Sequence, residues 1–144
     1  MSADSQDRLE DFFSGDLFFS VSRLQRDLNR MAEAAFRPLG IAPGQAFLLM
    51  AVAERPNSLI GDLAEILSLA PSTVTRFVDK LARMDLCERH GQGRRVQIRL
   101  TEKGQQTLPD IHAGWKQLFA SYNQAYGQDQ AIRLTQMVLQ ITRR

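Results

Sequence analysis

One cysteine, Cys87, in 144 residues excludes an intramolecular disulfide and any thiolate cluster for zinc. The two histidines, His90 and His112, are too few and too separate for a metal site, and no metal or cofactor is expected. The longest unbroken apolar run, Ala46–Ala53, is far short of the roughly 20 residues that span a bilayer. No basic stretch followed by an apolar one opens the chain, so no secretory leader is read there and a cytoplasmic location is expected. No Ser/His/Asp arrangement is in evidence, and Gly91-Gln92-Gly93 reads as a turn and not as a nucleotide fingerprint, so no enzyme is expected. Repeats and low-complexity segments are also missing. What remains is an ordinary globular composition, 44% hydrophobic and 24% charged, in a length that fits one domain or one small domain with an assembly element.

The net charge is only +2, but its distribution is uneven. From Pro71 to Thr101 there are seven basic residues and three acidic ones, so this segment carries +4 and the remainder −2. A basic patch on a near-neutral body suits a phosphate backbone partner.

Residues 1–8 are polar and expected to fray. From Leu17, apolar residues at 17, 21, 24, 28, 31 and 35 step by four and three, the seam of one long helix with Phe12, Phe13, Phe18 and Phe19 at its start. Arg37 before Pro38, with Gly40 following, stops it near Phe36. Residues 43–54 are apolar almost all round and predict a buried helix with Pro43 in its first turn. Asn57 or Ser58 is a candidate cap for a helix over 59–67, with Leu59, Leu63, Ile66 and Leu67 on one face. After the turn Ser68-Leu69-Ala70, Pro71 opens another helix whose core face is Val74, Phe77, Val78 and Leu81.

Beyond Asp85 the period changes to two. Val96, Ile98 and Leu100 alternate with Gln97 and Arg99, and residues 87–90 can pair with them across the glycine-rich tip. Thr101 then caps a long helix, with Pro109 near its start and a seam of Leu108, Ile111, Trp115, Leu118, Tyr122 and Ala125. Gly127 ends it, and a last helix covers about 128–142.

Helix, tight turn, helix and hairpin form the layout of a winged helix-turn-helix, a reader of duplex DNA. A helix entering the major groove needs short polar groups near its start and basic groups further along. Ser72, Thr73, Thr75 and Arg76 meet that need, and Lys80 is placed for a phosphate. Arg94 at the hairpin tip is the minor-groove candidate, with Arg95 a phosphate contact or strand partner.

Three stretches carry a resemblance. Leu63-Ala64-Glu65-Ile66-Leu67, then the run from Ser72 to Leu81, then the run from Val96 to Gly104, with Leu39–Ala46 upstream, resemble the MarR family of bacterial transcriptional regulators. The resemblance covers about residues 10–142. It implies a mainly α fold with a small β-hairpin wing, and an obligate homodimer paired through terminal helices. It also implies a pseudopalindromic duplex DNA operator and a repressor released by a small ligand or oxidant. On this reading residues 9–37 and 102–142 dimerise and 43–101 form the DNA-binding lobe. Leu17, Val21, Leu24, Leu28, Leu118, Tyr122, Ile132 and Val138 are expected at the dimer seam. Phe12, Phe18, Phe47, Trp115 and Phe119 are candidates for an effector pocket, with plain dimer core as the competing reading. A departure lies in the wing, where Gln92 stands at the position of an aspartate usual in the family. Cys87 reads as a core thiol. The rival functional class is a winged-helix module that docks an acidic protein.

Overall fold

The computed structural model describes residues 3–143, with the side chains of residues 8–93 and 95–143. In chain order the helices are α1 (Ala3–Ser14), α2 (Leu17–Phe36), α3 (Pro43–Glu54), α4 (Ile60–Leu67), α5 (Pro71–Arg83), α6 (Glu102–Tyr126) and α7 (Gln128–Thr142). The strands are β1 (Ser58–Leu59), β2 (Cys87–His90) and β3 (Gln97–Leu100), in one antiparallel sheet of order β1-β3-β2. No single helix among the described residues is long and apolar enough to cross a membrane.

The chain divides into two compact units, Met1–Ala32 with Tyr122–Arg144, and Glu33–Ser121. The second has a closed core. Phe36, Leu48, Leu49, Leu63, Val74, Val78, Leu81, Ile98 and Ile111 are fully buried, and Leu118 is 2% exposed. Each such side chain stabilises the fold by about 1.5–3 kcal/mol relative to exposure. Two glycines are required by close approach. A Cβ on Gly104 would lie 2.0 Å from the Leu86 carbonyl oxygen, and one on Gly114 would lie 2.9 Å from the Phe36 ring. α6 therefore packs backbone-close where the sequence has no side chain to interfere.

Several local expectations need correction. Residues 3–14, where no element was expected before residue 9, form a helix of their own, and Met1 and Ser2 lie outside the described residues. The break falls at Gly15-Asp16, because the Phe19 N–H donates to Asp16 Oδ1 at 2.7 Å and caps α2. Neither Asn57 nor Ser58 caps α4. Asn57 is left-handed (φ 65), Ser58 belongs to β1, and Asp62 accepts from the Leu59 N–H at 3.2 Å instead. Ile66, expected on the core face of α4, is 41% exposed. Thr101 caps α6 as expected, accepting from the Gly104 N–H at 3.0 Å.

In the terminal unit, Leu24 and Leu28 of α2 line an apolar cleft of about 280 Å³ with Tyr122, Tyr126 and α7 residues Leu134, Val138 and Leu139. In the same unit Asn123 Oδ1 and the Tyr126 hydroxyl are buried without a hydrogen-bond partner among the described residues. Burial, reinforced by the Asp27 charge, pushes the Tyr126 phenol up from its ordinary pKa.

Candidate nucleic-acid interface

α5 is two-sided. Val74, Val78 and Leu81 are buried, while Ser72, Thr75 and Arg76 are exposed and Thr73, Asp79 and Lys80 are half-buried. The cause is local. Ser68 adopts the left-handed conformation (φ 54) that ends α4, and Pro71 fixes the first turn of α5 without wasting an N–H. The Thr75 hydroxyl donates to the Pro71 carbonyl at 3.0 Å, so its lone pairs are what it offers outward. Arg76 Nη2 reaches Thr73 Oγ1 only at 3.5 Å, a weak contact that leaves the guanidinium available. Lys80 and Arg83 sit in the last turn, where the helix dipole favours cations.

The wing is β2 and β3 joined through a 3-10 turn at Gly93–Arg95. Gly91 has φ +99, and a Cβ there would lie 2.7 Å from the Arg95 carbonyl oxygen, so the tip demands glycine. Arg95 is exposed, and the Arg94 side chain, the minor-groove candidate, lies outside the described residues. Gln92 is exposed and makes no side-chain cap to the turn. The hairpin base is fastened to α5 and α6. The Leu86 N–H donates to Leu81 O at 2.9 Å, and Lys103 Nζ donates to Met84 O at 2.9 Å.

Sequence reasoning missed two contacts. Arg89 on β2 pairs with Asp79 on α5, and Arg99 Nε donates to Asn57 Oδ1. Both join residues distant in sequence, so no spacing signal marks them. Glu88 and His90 pair with each other at 2.6 Å on the wing. Cys87 is buried (2% exposed), with Sγ 3.7 Å from the Val78 carbonyl oxygen. Burial pushes its thiol up to about 11, a trend that nearby Arg89 opposes and Glu88 assists. An un-ionised core thiol is the result.

The residues expected at the dimer seam separate. Leu17 (78% exposed), Val21, Ile132 and Val138 present apolar surface in the single chain. Leu24, Leu28 and Tyr122 line the terminal-unit cleft. Leu118 is a correction, because it is buried inside its own chain and is not available to a second one. Among the aromatic candidates, Phe12 and Phe18 are strongly exposed in the terminal unit. Trp115 and Phe119 are exposed in the other unit, where Phe47 packs edge-on against Phe36 with centroids 5.9 Å apart.

Comparison with known proteins agrees with this geometry. Residues 41–91 match the MarR family. The HTH-type transcriptional repressor MdtR of Bacillus subtilis (strain 168) is 26% identical over 117 residues, covering 72% of this chain and 76% of MdtR. The transcriptional repressor CouR bound to p-coumaroyl-CoA superposes with a TM-score of 0.81 at 21% identity, over 91% of this chain and 94% of CouR. CouR bound to a 23-mer DNA duplex gives a TM-score of 0.79 at 22% identity, over 90% and 94% of the two chains. Residues 41–91 thus match the MarR family, and the chain shares the fold of these winged helix-turn-helix regulators, with α5, the wing and the terminal helices in the same order.

Proposed function

We propose that this protein is a homodimeric, sequence-specific reader of duplex DNA that acts in the cytoplasm as a repressor and is released by a small apolar or aromatic effector. One observation carries the reading: α5 buries Val74, Val78 and Leu81 completely and holds Ser72, Thr75 and Arg76 in solvent on the opposite stripe. Buried residues on one side fix the helix, and exposed donors and acceptors on the other face a groove. Arg76 forks onto guanine O6 and N7 or onto a phosphate, while Lys80 and Arg95 add phosphate contacts.

Residues 9–37 and 102–142 serve as dimerisation elements around the lobe at 43–101. Exposed Leu17, Val21, Ile132 and Val138 supply apolar surface for a second copy, which also offers partners for the buried Tyr126 hydroxyl. Two reading helices must then meet successive major grooves about 34 Å apart. An effector that re-angles the terminal helices changes this separation and weakens binding. CouR, captured both with DNA and with p-coumaroyl-CoA, supports an effector having an aromatic part. The candidate contacts are Phe12 and Phe18 in the terminal unit and, in residues 33–121, Phe47, Trp115 and Phe119, each unit considered by itself.

Titration of random duplex DNA at several salt concentrations tests the activity. Binding is expected to fall steeply, with a log–log slope of about −0.9 per phosphate neutralised. No binding, or a flat salt dependence, would contradict DNA reading and favour an acidic protein partner.

A further inference from the structure

Asp79 is the only acidic residue of α5, and it lies on the stripe that faces outward. Ser72, Thr75, Arg76, Asp79 and Arg83 follow one another at helical spacing, so Asp79 is one turn from Arg76. A free carboxylate there has two costs for a DNA reader. It repels phosphate, and at i+3 it attracts the guanidinium that must reach the DNA.

In the structure Asp79 does not take Arg76. Its Oδ1 is engaged by Arg89 Nη2 from β2, while Arg76 Nη2 keeps only the weak contact with Thr73 Oγ1 at 3.5 Å. The strand geometry places Arg89 there. Side chains on β2 alternate, so Cys87 and Arg89 turn toward α5 while Glu88 and His90 pair with each other on the other face. The register is held from below by Leu86 N–H on Leu81 O at 2.9 Å, and by Cys87 Sγ near Val78 O at 3.7 Å.

We infer that Arg89 is a positioning residue for DNA reading: by holding Asp79 it keeps the Arg76 guanidinium unclaimed and cancels the negative charge on the DNA-facing stripe. The inference rests on Arg76 being a DNA contact, as proposed above. It makes the wing base part of the reading head without requiring Arg89 to touch DNA.

The test uses the full chain and a duplex selected by the wild-type protein from random DNA. Four variants are compared: Arg76→Ala, Arg89→Met, Asp79→Asn and the double variant Arg89→Met with Asp79→Asn. Methionine keeps the apolar stem of Arg89 and removes the charge. Arg89→Met is expected to lose about tenfold in affinity, the scale of one arginine contact, and to relax preference at the same base pair as Arg76→Ala. The double variant is expected to recover to within about threefold of wild type and to regain that preference, since no carboxylate remains to capture Arg76. A purely structural pair gives the opposite pattern. Both single variants then melt lower, and the double variant binds no better than Arg89→Met. A direct phosphate contact by Arg89 would show as a sequence-independent loss with a salt slope shallower by about 0.9 and no rescue. Either pattern overturns the inference while leaving the reading of Arg76 intact. Should Arg76→Ala itself bind as wild type, that reading falls and the inference with it.

Discussion

The two units of this chain differ in how much apolar surface they close over. Residues 33–121 close over Phe36, Leu48, Leu49, Leu63, Leu81 and Ile111 until none is exposed. The terminal segments leave Phe18 82%, Leu17 78% and Phe12 75% exposed, with Val138 and Ile141 also in solvent. Apolar surface on this scale marks an interaction site and not a finished exterior. Residues 33–121 thus hold a closed core of their own, with Trp115 and Phe119 exposed outside it, whereas on the proposed reading the terminal helices are completed by a second copy.

The sharpest way to probe this contrast is to place the same charge in both units. Leu118→Asp puts a carboxylate in a closed core and should unfold the chain at ambient temperature, a cost of about 4 kcal/mol or more by denaturant titration. Native circular dichroism and an unchanged unfolding midpoint would show that Leu118 is not core. Gly104→Ala should cost about 3 kcal/mol, because the added Cβ falls 2.0 Å from the Leu86 carbonyl oxygen and outweighs the gain in helix propensity. A melting temperature at or above wild type would mean that α6 shifts freely there.

Phe18→Asp should spare the fold of the reading head yet dissociate the dimer, read by light scattering as a halved mass with native helical content. A dimer of undiminished affinity would remove α2 from the seam. Arg76→Ala should leave fold and dimer unchanged and cost about 1–3 kcal/mol on the operator, relaxing one position. Equal affinity would take Arg76 out of the interface.

The smallest effect concerns Cys87. Its folded pKa, about 11, lies above the ordinary 9.0, so its contribution to stability is complete below pH 9 and is lost as pH rises toward 11. Cys87→Val should remove that part of the alkaline destabilisation, measured as the unfolding midpoint against pH. An identical pH profile for both proteins would contradict a buried thiol.

Much of the architecture was legible because it follows local rules. Pro71 opened α5, Gly127 separated α6 from α7, and the alternation from Val96 to Leu100 marked β3. The reading stripe of Ser72, Thr75 and Arg76 was legible for the same reason, since it is the complement of an apolar stripe. What was missed is mostly non-local. β1 has only two residues, too few for a pattern, and exists because β3 offers it an edge. Arg89 and Asp79 are ten residues apart and meet only when β2 lies on α5. Leu118 was misassigned because one run of threes and fours on α6 merges two faces. Ile111, Gly114 and Leu118 point into the core of their own chain, while Trp115 and Phe119 sit on the exposed side. The break before α2 was different, because its signal, Gly15 followed by the capping Asp16, was present and local.

The central claim is that paired terminal helices hold two reading heads at the repeat of B-form DNA. Selection of bound fragments from random duplex DNA, with the stoichiometry of the selected complex measured, tests it most directly. The account predicts inverted half-sites with centres about 10–10.5 bp apart, bound by two chains per duplex. Single half-sites bound by one chain, or fragments with no shared sequence, would contradict it.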